Sequence, residues 1–152
     1  MLNKTEYISN SYEETYNIAL EFAKTLKKGD VITLDGDLGA GKTAFVNGLA
    51  KGLEIKDIVQ SPTFTIVNEY RNGKLPLFHF DVYRIEDIDE MYDIGFDEYI
   101  YGDGICAVEW ADNIRDYFDM PYYEIKIYKN LDISEDYRSI EITRRNQWIY
   151  LQ

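Results

Sequence analysis

Val31-Ile32-Thr33-Leu34-Asp35-Gly36-Asp37-Leu38-Gly39-Ala40-Gly41-Lys42-Thr43-Ala44-Phe45-Val46 is the stretch that decides the fold. Val31 to Leu34 are apolar or β-branched, the pattern of a buried strand. Gly36, Gly39 and Gly41 then let the backbone turn with several N–H groups pointing inward, a nest for phosphate. A helix opens at Lys42 and runs through Phe45, Val46 and Leu49 to near Gly52. Its positive end and unpaired N–H groups face the same phosphates. Lys42 can reach the β- and γ-phosphates as a point charge, and the Thr43 hydroxyl suits Mg²⁺. Gly36 to Thr43 therefore reads as a P-loop for a nucleoside triphosphate with magnesium. Asp37, Leu38, Gly39, Ala40, Gly41, Lys42 and Thr43 are its candidate binding residues.

Upstream, Thr5 to Ser9 reads as a short strand. Ser11 with Glu14 three residues later is a capping box, opening a helix to about Leu26. Tyr16, Ala19, Leu20 and Ala23 give that helix an apolar stripe, and Lys27-Lys28-Gly29-Asp30 stops it. Downstream, Phe64 to Tyr70 and Leu75 to Asp81 flank Arg71-Asn72-Gly73-Lys74. Asn-Gly between apolar runs predicts an antiparallel hairpin. Asp87 to Tyr99 is acidic and helical in pattern, broken at Gly95, and Ile105 to Val108 is a further buried strand. Tyr122 to Tyr128 and Ser139 to Thr143 alternate apolar and polar residues as strands do, with Asn130 to Asp136 a surface loop between them. A hairpin where a purely parallel fold would need a crossover helix implies an α/β fold with a mixed sheet.

A P-loop also requires an acid at the end of a neighbouring strand to hold the metal's water shell. Glu109 ends the run Ile105-Cys106-Ala107-Val108, and Asp81 ends Leu77-Phe78-His79-Phe80. Spacing does not rank the two. His79, a lone histidine on a strand, reads as hydrogen-bonded packing.

Length and charge narrow the field. The 152 residues suit one domain, and 45% hydrophobic with 15% aromatic content suffices for a core. Twenty-eight acids against 16 basic residues give a net charge of -12. Such a chain should not grip a nucleic acid by itself, and either a basic protein is the easier partner or the acidity only keeps a small protein in solution. Cys106 is the single cysteine, so no internal disulfide forms, and its apolar neighbours make it a core residue. Met1 to Glu6 shows no signal-peptide pattern, and no apolar run approaches the roughly 20 residues that span a bilayer. Cytoplasm is the expected compartment.

The P-loop, Ser61-Pro62-Thr63-Phe64, His79-Phe80-Asp81-Val82-Tyr83-Arg84 and Glu109-Trp110 occur in that order. Together with Asp89 to Tyr99 they resemble the TsaE (YjeE) family of small bacterial ATPases that support threonylcarbamoyladenosine synthesis in tRNA. The likeness is clearest from Val31 to Ala111. It implies a P-loop NTPase-like three-layer α/β domain over residues 1–152, with a mixed, parallel plus antiparallel, central sheet. It also implies ATP/ADP and Mg²⁺ as ligands and slow, partner-stimulated hydrolysis. Thr43 and Glu109 would be the metal ligands. Thr63 would lie near the γ-phosphate, and Asp81 would orient or deprotonate the attacking water. Trp110 would lie beside the nucleotide, unless it is ordinary core packing. Ser11 and Tyr12 would stand near the adenine, and Arg138 is a further candidate for the nucleotide. Tyr83 and Arg84 could order the site or meet a partner, or Arg84 could pair with Asp87. The implied partners are TsaD and TsaB, with tRNA met only indirectly. Glu86 to Glu98 is either a partner surface or a solvated helix face.

Two other readings are open to test. A small-molecule kinase would share the P-loop, yet the connection after Arg84 is acidic and lacks an arginine-bearing lid. A guanine-nucleotide switch would carry an Asn/Thr-Lys-x-Asp run, which does not occur.

Overall fold

The computed structural model describes residues 3–36, 41–62 and 66–146. Asp37, Leu38, Gly39, Ala40 and Thr63 lie outside them. Within the described residues the strands are β1 (Asn3–Ser9), β2 (Val31–Gly36), β3 (Val67–Tyr70), β4 (Leu77–Asp81), β5 (Ile105–Glu109), β6 (Tyr122–Lys129) and β7 (Arg138–Arg145). They form one sheet in the order β1-β7-β6-β2-β5-β4-β3. β2 pairs in parallel with β5 and β6, and β4 with β5, while β1–β7, β6–β7 and β3–β4 are antiparallel. The sheet is mixed, as the hairpin signal requires. β1, β2, β4, β5 and β6 all end on one rim, where β3 and β7 begin.

Strand alternation divides the core between two faces. Ile32, Leu34, Ile105, Ala107, Ile125 and Ile127 point to one face, where α1 (Tyr12–Ala23) and α2 (Lys42–Gly52) cover them. Val31, Phe78, Phe80, Cys106, Val108 and Tyr122 point to the other. There they meet α3 (Asp89–Asp93), α4 (Phe96–Ile100) and a 3₁₀ helix at Ala111–Tyr117. The result is the three-layer P-loop NTPase-like α/β architecture. Among the described residues, no helix is long and apolar enough to cross a membrane.

The Ser11 hydroxyl accepts from Glu14 N–H at 3.1 Å, and the Glu14 carboxylate reaches back to Asn10 N–H at 2.9 Å, so the cap forms much as the sequence predicts. α1 ends at Ala23, three residues before Leu26. Lys24, Thr25 and Leu26 tighten onto the carbonyls of Glu21, Phe22 and Ala23, and the Thr25 hydroxyl also takes the Phe22 carbonyl. Gly95, with φ 75°, separates α3 from α4 where the sequence places the break.

The hairpin is present, but Asn72-Gly73 is not a two-residue turn: six residues join Tyr70 to Leu77. Lys74 N–H is instead bonded to the Leu53 carbonyl at 2.7 Å, drawing the connection onto the end of α2. A Cβ on Gly73 would stand 2.5 Å from that same oxygen, so close approach is what demands glycine there.

Candidate functional site

In an open α/β sheet the crevice at the carboxyl ends of the strands opens where connections diverge to either side. Here that point is β2, flanked by β5 and β6, and the chain leaves it toward α2. Gly41, at φ 112°, is the residue before α2, and its carbonyl accepts the Phe45 N–H at 3.0 Å. Lys42 follows, with 9% of its surface exposed. A lysine this buried needs electrostatic partners. Glu109 supplies one, with Oε1 at 4.0 Å from Nζ, and Trp110 supplies another, its ring centroid 4.1 Å away. The indole is 37% exposed and meets Tyr83 edge-on at 5.0 Å, so Trp110 lines the site rather than filling the core. It sits in the left-handed region at φ 63°, an uncommon conformation for so bulky a residue, at the turn from β5 into the 3₁₀ helix.

Glu109 and Asp81 are register partners at the ends of β5 and β4. Their surroundings differ. Glu109 is buried, and its Oε2 accepts from His79 Nε2 at 2.5 Å. A carboxylate acceptor places the hydrogen on Nε2. The other ring nitrogen, Nδ1, is buried and has no hydrogen-bond partner among the described residues. Asp81 is half-buried, and its Oδ1 accepts the Tyr83 N–H at 3.0 Å. Glu109 thus stands beside Lys42, with Asp81 one strand further out.

Thr43 is exposed in the first turn of α2, where its carbonyl accepts from the Asn47 amide at 3.0 Å. The same Asn47 side chain accepts Val59 N–H at 3.2 Å. Tyr70 Oη and Asn68 then hold the backbone of Gln60. These three side chains moor the approach to Ser61-Pro62, and sequence reading had given them no role.

Ser11 and Tyr12 follow β1 on the same rim. The Ser11 oxygen is occupied by its helix, whereas Tyr12 is exposed and stacks on Tyr16 at 6.4 Å. α1 reaches the start of α2 through Thr15: a Cβ on Gly41 would lie 3.9 Å from Thr15 Cγ2. Arg138 begins β7 on the rim, two strands from β2, and donates to the carbonyls of Glu135 and Tyr137 in its own turn.

A cleft of about 380 Å³ opens at this point, lined by Leu34, Asp35, Gly36, Lys42, Trp110, Asp112 and Lys126 among others. A larger groove of about 1110 Å³ lies between α1 and Leu53 to Ile58, but the converging Lys42, Glu109 and Trp110 are not in it. Behind the smaller cleft lies Arg115, which sequence reading also missed. It contacts Asp35, Thr33, Asp112 and Glu124. Burial pushes the Asp35 carboxyl up from its ordinary value; Arg115 opposes this, and Asp112 and Glu124 reinforce it. Burial disfavours the Arg115 charge, but Asp35, Tyr122 and Glu124 outweigh it and raise the guanidinium pKa.

The donor set suits a hard cation shared with phosphates, since Mg²⁺ keeps several waters and takes only one or two protein ligands. Glu109 offers a carboxylate fixed by His79, and Lys42 offers a neighbouring positive charge.

Residues 9–140 match the family model described as threonylcarbamoyl adenosine biosynthesis protein TsaE. A tRNA threonylcarbamoyladenosine biosynthesis protein TsaE from Bacillus subtilis is 51% identical over 131 residues, 86% of this chain and 80% of the relative. A protein of the same name from Rickettsia bellii is 37% identical over 145 residues, 94% of this chain and 96% of the relative. The crystal structure of Bacillus subtilis YdiB superposes with a TM-score of 0.77 at 40% identity, covering 95% of this chain and 87% of that one. With a family match spanning β2, α2, β4 and β5, and so every strand and helix that frames Lys42 and Glu109, this chain belongs to the TsaE family.

Proposed function

We propose that the chain binds ATP with magnesium and hydrolyses it slowly, in support of threonylcarbamoyladenosine modification of tRNA. In this reading it binds a TsaB–TsaD complex and resets it between rounds. The observation that carries the nucleotide part is the convergence of Lys42 Nζ on Glu109 Oε1 at 4.0 Å, at the open end of β2.

A bound magnesium ion supplies positive charge to the phosphoryl group that transfers. Thr43 and Glu109 would hold it, with His79 fixing the carboxylate through the 2.5 Å bond. Such a partner orients a ligating oxygen much as outer-shell groups do in other metal sites. Lys42 would carry the β- and γ-phosphates, and Gly41 would let the backbone approach them. Asp81, more exposed than Glu109, is left to orient or deprotonate the attacking water. Thr63 keeps the proposed place near the γ-phosphate. Trp110 and Tyr12 are aromatic surfaces for the nucleoside, and Ser11 and Arg138 mark the outer limits of the site.

The family name supports the tRNA-modification role. A net charge of -12 suits a protein that acts on a protein complex and leaves RNA binding to others. Turnover of ATP should be slow for the protein alone and rise when TsaB and TsaD are added. ATP-dependent co-purification with them should be lost in Lys42→Ala and Glu109→Ala. Fast unstimulated turnover, or association indifferent to ATP and to both substitutions, would overturn the proposal.

A further inference from the structure

We infer that Arg115 is a positioning residue of the nucleotide cleft, holding β2's exit and the segment after Glu109 at a fixed separation while cancelling their negative charge. This rests on the ATP-binding reading above. The guanidinium is the hub of a partly buried ion cluster, and its own contacts span three elements. It grips Asp35 on β2, one residue before Gly36, and donates to Thr33 Oγ1 on the same strand at 3.1 Å. Its Nε donates to Asp112 at 3.2 Å, two residues beyond Trp110, and Nη1 lies 3.5 Å from Glu124 on β6. Asp35 and Asp112 line the same cleft as Lys42 and Trp110.

The charge count explains why one arginine matters. Asp35, Asp112 and Glu124 are the acids; Arg115, Lys126 and Arg145 are the cations, the last two within 3.8 Å and 2.9 Å of Glu124. Arg115 touches all three acids, and among the described residues the cluster is neutral only with it. Without Arg115, Asp35 and Asp112 would face an incoming triphosphate unbalanced, in a protein already at -12. A half-buried pair is screened by salt less than a surface one. The fork geometry matters too, because guanidinium can hold several oxygens in fixed directions and ammonium cannot.

Two independent contributions follow, charge and geometry, and four variants separate them. By calorimetry, Arg115→Met should weaken ATP binding by at least about tenfold, as loss of a cleft charge and its partners implies. Arg115→Lys should recover part of that loss. Adding Asp35→Asn to Arg115→Met should recover most of the charge contribution, which a merely structural role for Arg115 would not allow. Asp112→Asn, on a side chain 84% exposed, keeps an oxygen for Arg115 Nε and should tighten ATP binding by about two- to threefold. Unchanged affinity in Arg115→Met and Asp112→Asn, or no recovery in the double variant, overturns the inference while leaving ATP binding by the wild type intact. Absence of ATP binding by the wild-type chain would instead sink the functional reading on which it stands.

Discussion

Glu109 is a buried carboxylate whose two oxygens face different partners, Lys42 on one side and His79 on the other. A buried charge left without its hydrogen bond carries most of its desolvation cost. His79→Ala should therefore destabilise the fold by about 2–3 kcal/mol in urea denaturation, since it strips that bond and opens a small cavity. The same variant should weaken magnesium-dependent nucleotide binding; unchanged stability would show that the contact contributes nothing. Lys42, Glu109 and Asp81 were legible as candidates because their signals are local: a glycine-rich loop after a strand, and acids closing two apolar runs, which spacing left unranked. Arg115 and Asn47 were not. Arg115 meets Asp35 from 80 residues away and Val59 meets Asn47 across a loop, separations that no spacing rule encodes. His79 was legible as hydrogen-bonded, but its partner on the next strand depends on the β4–β5 register.

At the scale of elements, α1 and α2 pack more closely than two ordinary helices. A Cβ on Gly48 would stand 2.2 Å from the Tyr16 carbonyl oxygen and 2.8 Å from Ala19 Cβ. One on Gly52 would stand 2.5 Å from both Ala23 Cβ and the Leu20 carbonyl oxygen. Gly48→Ala normally favours a helix, yet here it should lower stability by about 1–3 kcal/mol because the methyl has no room. A raised melting temperature would contradict the packing. Both helices could be read from the capping box and from the loop–helix junction. Their intimacy could not, because a glycine in a helix looks like a weakness until its neighbour is known. The hairpin was legible in kind, whereas its long connection answers to Leu53 on another element. The 3₁₀ helix after Trp110 left no periodic signal, being only seven residues with a kink at Ile114.

For the molecule as a whole, the second face of the sheet is an aromatic layer that ends at the Tyr117 hydroxyl. That hydroxyl donates to Asp97, and Phe96, Tyr92 and Phe118 surround the ring. Burial, then the Asp97 bond and charge, push the Tyr117 pKa up. An unfolded chain releases a tyrosine proton near pH 10, before the native one does. Stability is thus held below about pH 10 and falls as pH rises beyond it. Tyr117→Phe should flatten that alkaline limb in chemical denaturation, and an unaltered slope would place its origin elsewhere. The alternating strands made both faces of the sheet foreseeable, but strand order was not, since it depends on which edges meet.

That order has a consequence for how the chain is made. β2 lies between β5 and β6, so Val31 waits for Cys106 and Ile32 for Tyr123, while Asn3 at the sheet's edge waits for Arg144. Pairings this distant in sequence make folding slow, because loop closure must be achieved before any contact repays it. A nascent chain emerging from the ribosome will have shown its glycine-rich loop long before the strands that flank it exist. The cleft beside Lys42 closes only when nearly all of the protein has been synthesised, so a truncated product would carry the loop and lack the grip.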